Sequence, residues 1–196
     1  RQRQMCIRDR IITENWLEEM LQLCQQKDVG MVGAKLYYPD DTIQHAGVVV
    51  GLGGVAAHVL CKLPRDAEGY MGRLRCVQEI SAVTAACMMV KTSVFKAVGG
   101  FDEELKVAFN DIDLCMKVRK YGVKIVFTPY AELYHYESKS RGMEDTPEKQ
   151  LRFSREVNCF RRKWERELLK GDPYYNPNLT LNNTDCSLRK QEKNGD

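Results

Sequence analysis

From Thr13 onward the apolar residues Trp16, Leu17, Met20, Leu21 and Cys24 recur at helical spacing. The pattern predicts a helix capped by Thr13 and ending near Asp28 to Gly30. Residues 31–38 are almost continuously apolar, the mark of a buried strand. Pro39-Asp40-Asp41 breaks that run as a turn, and residues 42–50 resume it as a second extended segment closed by Gly51-Leu52-Gly53-Gly54. Residues 56–75 mix polar and apolar positions without a period and predict a long excursion over the surface. Residues 77–90 are small and β-branched and predict a strand entering the core, followed by a short helix over 92–98 that stops on Gly99-Gly100.

The second half is more regular. Phe109-Asn110-Asp111-Ile112-Asp113 opens a helix that runs to Tyr121, with Gly122 as its stop. Residues 123–128 and 131–136 predict two more strands. Residues 150–170 predict a last amphipathic helix, with Phe153, Val157, Phe160, Trp164 and Leu168 on one stripe. Residues 171–196 are polar and Asn-rich and predict a poorly ordered tail, whereas residues 1–10 have neither period nor cap and read as a non-native leader outside the fold. Strands alternating with helices over 11–170 make this an α/β domain.

Composition narrows the classes. With 196 residues, 43% hydrophobic and 29% charged, the chain can build one domain with its own core, which excludes disorder throughout. Lys and Arg number 30 against 27 Asp and Glu, a net charge of +3, so the basic stripe of a nucleic-acid binder is missing. No apolar run approaches the roughly 18 residues that cross a bilayer, and the first ten residues lack the apolar core of a signal peptide. A cytoplasmic place is therefore expected, and the eight singly scattered cysteines fit buried thiols in a reducing compartment.

Two acids stand out. Asp111 and Asp113 are two residues apart, so on a helix their side chains diverge by about 200° and must have different jobs. Asp113 lies one turn before Lys117, where an i,i+4 ion pair of about 0.3 to 0.5 kcal/mol explains it. Asp111 shares the apolar side with Leu114, Cys115 and Val118 and points toward whatever crevice lies at that end of the sheet, where α/β folds bind ligands. It reads either as a working carboxylate or, with Asn110 as cap, as a complement to the helix dipole.

His135 shares a strand face with Ala131 and Leu133 and reads either as a core histidine or as a metal ligand. The loop after it, Glu137-Ser138-Lys139-Ser140-Arg141-Gly142, places two hydroxyls and two cations where an anion could bind. Other signals are weaker. His58 and Cys61 lack a second ligand pair for zinc, Gly51–Gly54 lacks the Gly-Lys-Ser/Thr ending of a phosphate loop, and Arg161-Arg162-Lys163 reads as a wet face or an anionic-membrane contact.

Several blocks occur in order: Val98-Gly-Gly-Phe-Asp-Glu-Glu104, Phe109-Asn-Asp-Ile-Asp-Leu-Cys115, Val118-Arg-Lys-Tyr-Gly122 and Tyr134-His-Tyr-Glu-Ser-Lys-Ser-Arg-Gly142. Together they resemble the C-terminal half of a bacterial family 2 glycosyltransferase. Asn15-Trp-Leu-Glu-Glu-Met20, Val32-Gly-Ala-Lys-Leu-Tyr-Tyr-Pro-Asp40, Ile43-Gln-His-Ala-Gly47 and Gly171-Asp-Pro-Tyr-Tyr-Asn-Pro-Asn178 extend the resemblance over about residues 11 to 180. The subgroup resembled builds cell-surface polysaccharides such as O-antigen and rhamnan.

The resemblance implies a GT-A-like fold, a Rossmann-like mixed sheet flanked by helices, here truncated at the N-terminus. It implies inverting transfer of a sugar from a nucleotide diphosphate-sugar to a glycan or lipid-linked glycan acceptor, with Mg²⁺ or Mn²⁺. Asp111 matches the family's catalytic base and His135 its late metal ligand. Ser138 and Arg141 fall where the family contacts the diphosphate, and Ala85 and Ala86 fall at the close-packed strand end beside the sugar. Asn110, where many relatives carry Glu, and Asp113 take supporting places. The family's nucleobase pocket and Asp-x-Asp metal motif would precede residue 11, and Arg8-Asp9-Arg10 does not replace them, so weak metal and donor binding is expected. A place at the inner face of the membrane would suit lipid-linked acceptors. The rival reading is a non-catalytic carbohydrate- or protein-binding module, in which the acids are helix caps.

Overall fold

The computed structural model describes residues 9–136 and 146–190. In chain order the elements are β1 (Arg10–Ile11), α1 (Trp16–Cys24), β2 (Val29–Tyr37), β3 (Ile43–His45), β4 (Val48–Val50), β5 (Ala56–His58), β6 (Gln78–Glu79), β7 (Met88–Val90), α2 (Thr92–Ala97), α3 (Asn110–Lys120), β8 (Lys124–Tyr134), α4 (Pro147–Lys163) and α5 (Glu165–Lys170). All nine residues of β2 are buried, as a run apolar but for Lys35 requires of a strand covered on both faces, and the Lys35 ammonium donates to Leu74 O at 3.2 Å.

β2 runs parallel to β8, with Met31 opposite Ile125 and Tyr37 opposite Tyr134. Between these points β2 advances from Gly33 to Lys35 while β8 advances from Phe127 to Glu132. The surplus forms a bulge around Pro129, whose missing N–H suits it to a break in the ladder. That bulge is why one long strand stands where the sequence suggests two. Short antiparallel strands complete this mixed sheet: β1 and β6 pair with β8, and β3 and β7 with β2. Gly33 is required where β2 passes beneath residue 83, since a Cβ there would lie 2.4 Å from Val83 Cγ1.

Two apolar layers flank the sheet. On one side Met20 and Cys24 of α1 pack with Val29, Val32, Ala34, Leu36, Val126, Ala131 and Leu133. On the other, a larger core gathers α3, Phe160 of α4, Trp164, and the β4–β5 ribbon. The expected α/β arrangement of a mixed sheet between helices is thus observed. No helix among the described residues is long and apolar enough to cross a membrane.

Several local expectations need correction. Thr13 does not cap α1; its hydroxyl accepts the Glu132 N–H at 3.2 Å and ties the chain to β8, and Asn15 precedes the helix instead. Residues 42–50 divide at Gly47, whose φ of 104° turns the chain out of the main sheet so that β4 can pair with β5. Residues 77–90 are not one strand either, because β6 and β7 are separated by an irregular stretch anchored by an Ala82–Val48 bridge. The long C-terminal helix breaks at Trp164, with φ −114° and ψ 23°, as the indole turns into the core.

The segment 56–75 is more than a surface excursion, since it buries Val59, Leu60 and Leu74. The polar tail read at 171–196 is, through residue 190, part of the packed unit. Tyr175, Leu179 and Cys186 are buried, Asp172 accepts the Val50 N–H at 2.8 Å, and Leu181 and Thr184 accept the amides of Gly53 and Leu60 at 2.8 and 2.6 Å. Its Asn and Asp residues mark turns, not disorder: Asn176 and Asp185 each accept the amide two residues on, at 2.9 and 3.0 Å.

Candidate active site

Asp111 owes its place to what precedes it. The Glu156 carboxylate of α4, only 3% exposed, accepts three consecutive amides, from Lys106, Val107 and Ala108, at 3.1, 3.2 and 2.8 Å. A buried carboxylate must be satisfied in this way to be tolerated. The chain then turns at Phe109, which adopts φ 61° and ψ 5°, a left-handed conformation that costs an aromatic residue about 1–3 kcal/mol. Its ring is held 5.8 and 5.4 Å from those of Phe153 and Phe160. Helix α3 starts directly afterwards. Asn110 is therefore its first residue, not its cap, and its Oδ1 accepts the Asp111 N–H at 2.7 Å.

The Asp111 carboxylate is half-buried and meets two backbone donors. Oδ1 accepts from Ile112 N–H at 2.9 Å and Oδ2 from Ala85 N–H at 3.1 Å. Ala85 and Ala86 lie on the irregular turn just before β7, which faces the first turn of α3, so the structure does bring Ala85 and Asp111 together. Small side chains here leave that side of the carboxylate open.

Asp113 is a different object from the expected surface ion pair. It pairs with Lys117 at 3.2 Å, but it is 0% exposed, and its other oxygen receives the Lys163 ammonium at 2.8 Å and the Trp164 indole N–H at 2.8 Å. Lys163 also contacts Asp102. Burial works against the Lys163 charge, but Asp102 and Asp113 outweigh it and hold the ammonium above its ordinary range. The basic cluster on α4 is therefore not simply a wet face. Lys163 locks α4 to α3, and Arg161 Nε donates to Gly54 O at 3.1 Å.

His135 lies just past the end of β8, half-buried, with its N–H on Tyr37 O at 2.9 Å. Its Nδ1 is 3.0 Å from both carboxylate oxygens of Asp9, and Asp9 Oδ1 also accepts the Tyr136 N–H at 3.3 Å. Asp9 belongs to the segment read as leader, yet with Arg10 opposite Tyr134 it joins this end of the sheet. Asp9 also faces Cys87; burial first and then that carboxylate push the thiol up to about 12. Through Asp9, which acts on both His135 and Cys87, the strand end bearing His135 is linked to the segment that follows Ala85 and Ala86. Ser138 and Arg141 lie outside the described residues.

Among the described residues no cluster of three or more His, Cys, Asp or Glu side chains could hold a metal. The His135–Asp9 pair nevertheless has the form in which a ligating histidine commonly occurs, one ring nitrogen tied to a carboxylate and Nε2 left to coordinate. Mg²⁺ commonly relies on one or two protein groups plus substrate phosphates, so a sparse donor set is compatible with it.

All three histidines of the chain converge here. His45, at the end of β3, is 0% exposed, and its Nε2 accepts the Thr84 N–H at 3.4 Å. Its Nδ1 lies 3.3 Å from His58 Nδ1 of β5, the rings 4.8 Å apart and edge-on at 73°. Burial, then the neighbouring His58 and His135, push the His45 pKa well below its usual value, so the ring is neutral. An open basin of about 550 Å³ is lined by residues including Asp41, Arg65 and Glu132. Arg65 crosses it, paired with Glu132 at 3.0 Å and stacked 4.9 Å from the Tyr37 ring.

His45, Glu156 and Asp9 were not among the candidates drawn from the sequence. His45 left a trace there in the Ile43-Gln-His-Ala-Gly47 block, and Asp9 in Arg8-Asp9-Arg10, which is no metal motif.

The family model described as Glycosyltransferase like family 2 matches residues 8–155. The chain belongs to this family. Its sheet and helices are those of a GT-A-like fold, and the Asp111 helix and the His135 strand end both fall inside the matched range. An uncharacterized protein y4gI of Sinorhizobium fredii is 57% identical over 179 residues, 91% of this chain and 20% of that protein. The O-antigen biosynthesis protein RfbC of Myxococcus xanthus is 38% identical over 187 residues, 95% of this chain and 14% of that protein. An N-acetylglucosaminyl-diphospho-decaprenol L-rhamnosyltransferase of Mycobacterium tuberculosis is 36% identical over 62 residues, 32% of this chain and 20% of that protein. The matched segments thus span a fifth or less of the length of these relatives.

Proposed function

We propose that this chain supplies the catalytic base and one side of the donor site of an inverting glycosyltransferase acting in cell-surface polysaccharide synthesis. The observation that carries the reading is the open Asp111 carboxylate, fixed at a helix start by two backbone amides and flanked by the small residues Ala85 and Ala86. An acceptor hydroxyl is a poor nucleophile until a positioned carboxylate takes its proton as the new bond forms. Asp111 accepts that proton while the hydroxyl oxygen bonds to the anomeric carbon. The bond from that carbon to the diphosphate oxygen breaks on the opposite face, which inverts the configuration and releases the nucleotide.

The donor is a nucleotide diphosphate-sugar. The acceptor is a glycan or a lipid-linked glycan, in keeping with relatives named for O-antigen synthesis and for rhamnosyl transfer to a decaprenyl-linked sugar. The sugar is a hexose or rhamnose. Ser138 and Arg141 contact the diphosphate, and Asn110 and Asp113 support the base. His135, oriented by Asp9, would hold Mg²⁺ or Mn²⁺, which when bound supplies positive charge to the departing diphosphate. Work on such acceptors puts the protein in the cytoplasm, peripherally at the inner face of the membrane.

In an active protein carrying this chain, Asp111→Asn lowers transfer by about 100- to 10,000-fold with donor affinity nearly unchanged. Steady-state transfer together with calorimetric donor binding measures both, and undiminished turnover would overturn the reading. Chelation by EDTA is expected to weaken nucleotide binding. Unchanged affinity in EDTA would favour a non-catalytic carbohydrate- or protein-binding module.

A further inference from the structure

The turn that holds Asp111 is itself held from behind. Thr84 and Ala85 offer successive amides to different elements: Thr84 N–H goes to His45 Nε2 on β3 at 3.4 Å, and Ala85 N–H to Asp111 Oδ2 on α3 at 3.1 Å. The peptide between them is clamped from both sides. We infer that His45 is a positioning residue for Asp111, because by accepting the Thr84 amide it sets the direction of the Ala85 amide that holds the carboxylate. The inference rests on the reading of Asp111 as the base.

The chemistry of a neutral imidazole makes the arrangement specific. Such a ring has one donor and one acceptor nitrogen. With Nε2 accepting from Thr84, the His45 proton must sit on Nδ1, which faces His58 Nδ1 at 3.3 Å. The Gln44 carbonyl beside them accepts from the Cys61 thiol at 3.1 Å and lies within hydrogen-bond distance of His58 Nδ1, at 3.0 Å. His45 therefore ties the β5 ribbon to the turn at Thr84. The groups around His45 that could disturb it are His58 on β5, His135 at the end of β8 and, beyond it, Asp9. A filler role would ask only that the ring occupy its volume, whichever nitrogen carried the proton.

The unmodified ¹⁵N-labelled chain gives the first test, since long-range ¹H–¹⁵N correlation reports the tautomer directly. A proton on His45 Nδ1 is expected, and a proton on His45 Nε2 overturns the inference whether or not any variant folds. The second test is amide exchange in His45→Leu, which keeps volume but no acceptor, and in His45→Gln, whose Oε1 can accept from Thr84. Thr84 and Ala85 amides are expected to exchange at least about 10-fold faster in His45→Leu, with the β2 amides unchanged and near-normal protection in His45→Gln. Unchanged Ala85 exchange in folded His45→Leu, or equal acceleration of all amides in both variants, overturns it. In an active protein, His45→Leu should lower kcat with little change in the donor KM. Tautomer and exchange do not depend on turnover, so failure of the Asp111 assignment would be seen separately, as undiminished transfer by Asp111→Asn.

Discussion

The two acids on α3 are held by opposite means. On the side facing α4, Asp113 is fully buried and neutralised by Lys117 and Lys163, with the Trp164 indole on the same oxygen as Lys163. On the other side, Asp111 meets only backbone amides among the described residues and keeps contact with solvent. A carboxylate between two ammonium groups is an anchor, because any change in its charge strands those groups in a poor solvent. A carboxylate held by amides can gain or lose a proton without leaving a charge unpaired. One helix thus carries both a structural bolt and a group free to do proton chemistry, and the bolt keeps the free group in place.

The largest effect should come from breaking the anchor. Asp113→Ala leaves two lysines facing each other beside the indole and should cost about 3–5 kcal/mol, read from the urea midpoint. Next is Glu156→Gln, which keeps size but removes the charge that three amides address; about 2 kcal/mol is expected, with lost protection confined first to the amides of Lys106, Val107 and Ala108. A smaller signature is alkaline. The folded pKa of Lys163 is raised above its ordinary 10.5, so its contribution is fully present below that value and is lost as pH rises through the folded value. Stability of the unmodified chain should therefore fall more steeply above pH 10.5 than that of Lys163→Gln. The smallest change belongs to Asp111→Asn, within about 0.5 kcal/mol of the parent in the same urea experiment. Comparable losses from Asp111→Asn and Asp113→Ala would erase the contrast.

Periodicity revealed what is local. The nearly continuous apolar run of β2, the α3 helix with Gly122 as its stop, and the divergence of Asp111 from Asp113 were all legible. So was the likeness to family 2, carried by ordered blocks. What stayed hidden depends on partners far along the chain. Lys117 is one turn from Asp113 and could be paired on paper, but Lys163 and Trp164 are 50 and 51 residues away and come from a helix break that an intact hydrophobic stripe conceals. Glu156 flanks that stripe, three residues after Phe153 and four before Phe160, but a charge ordinarily means solvent, and only the docked 106–108 turn makes it an interior group. His45 needed the β5 ribbon beside it before its burial could be known. Asn110 looked like a cap because its residue type favours one, whereas the strained Phe109, pinned by two rings of α4, takes that position.

The C-terminal segment sets an order of events. Hydrogen bonds from Val50, Gly53 and Leu60 to residues 172–184 mean that the ribbon carrying His58 is pinned by a segment that leaves the ribosome well after the ribbon itself. The central β2–β8 pair can assemble before that segment emerges, whereas the ribbon behind Thr84 gains these bonds only once residues 172–184 are made. A nascent chain halted before residue 172 would therefore carry Asp111 on a formed helix beside an unfinished ribbon.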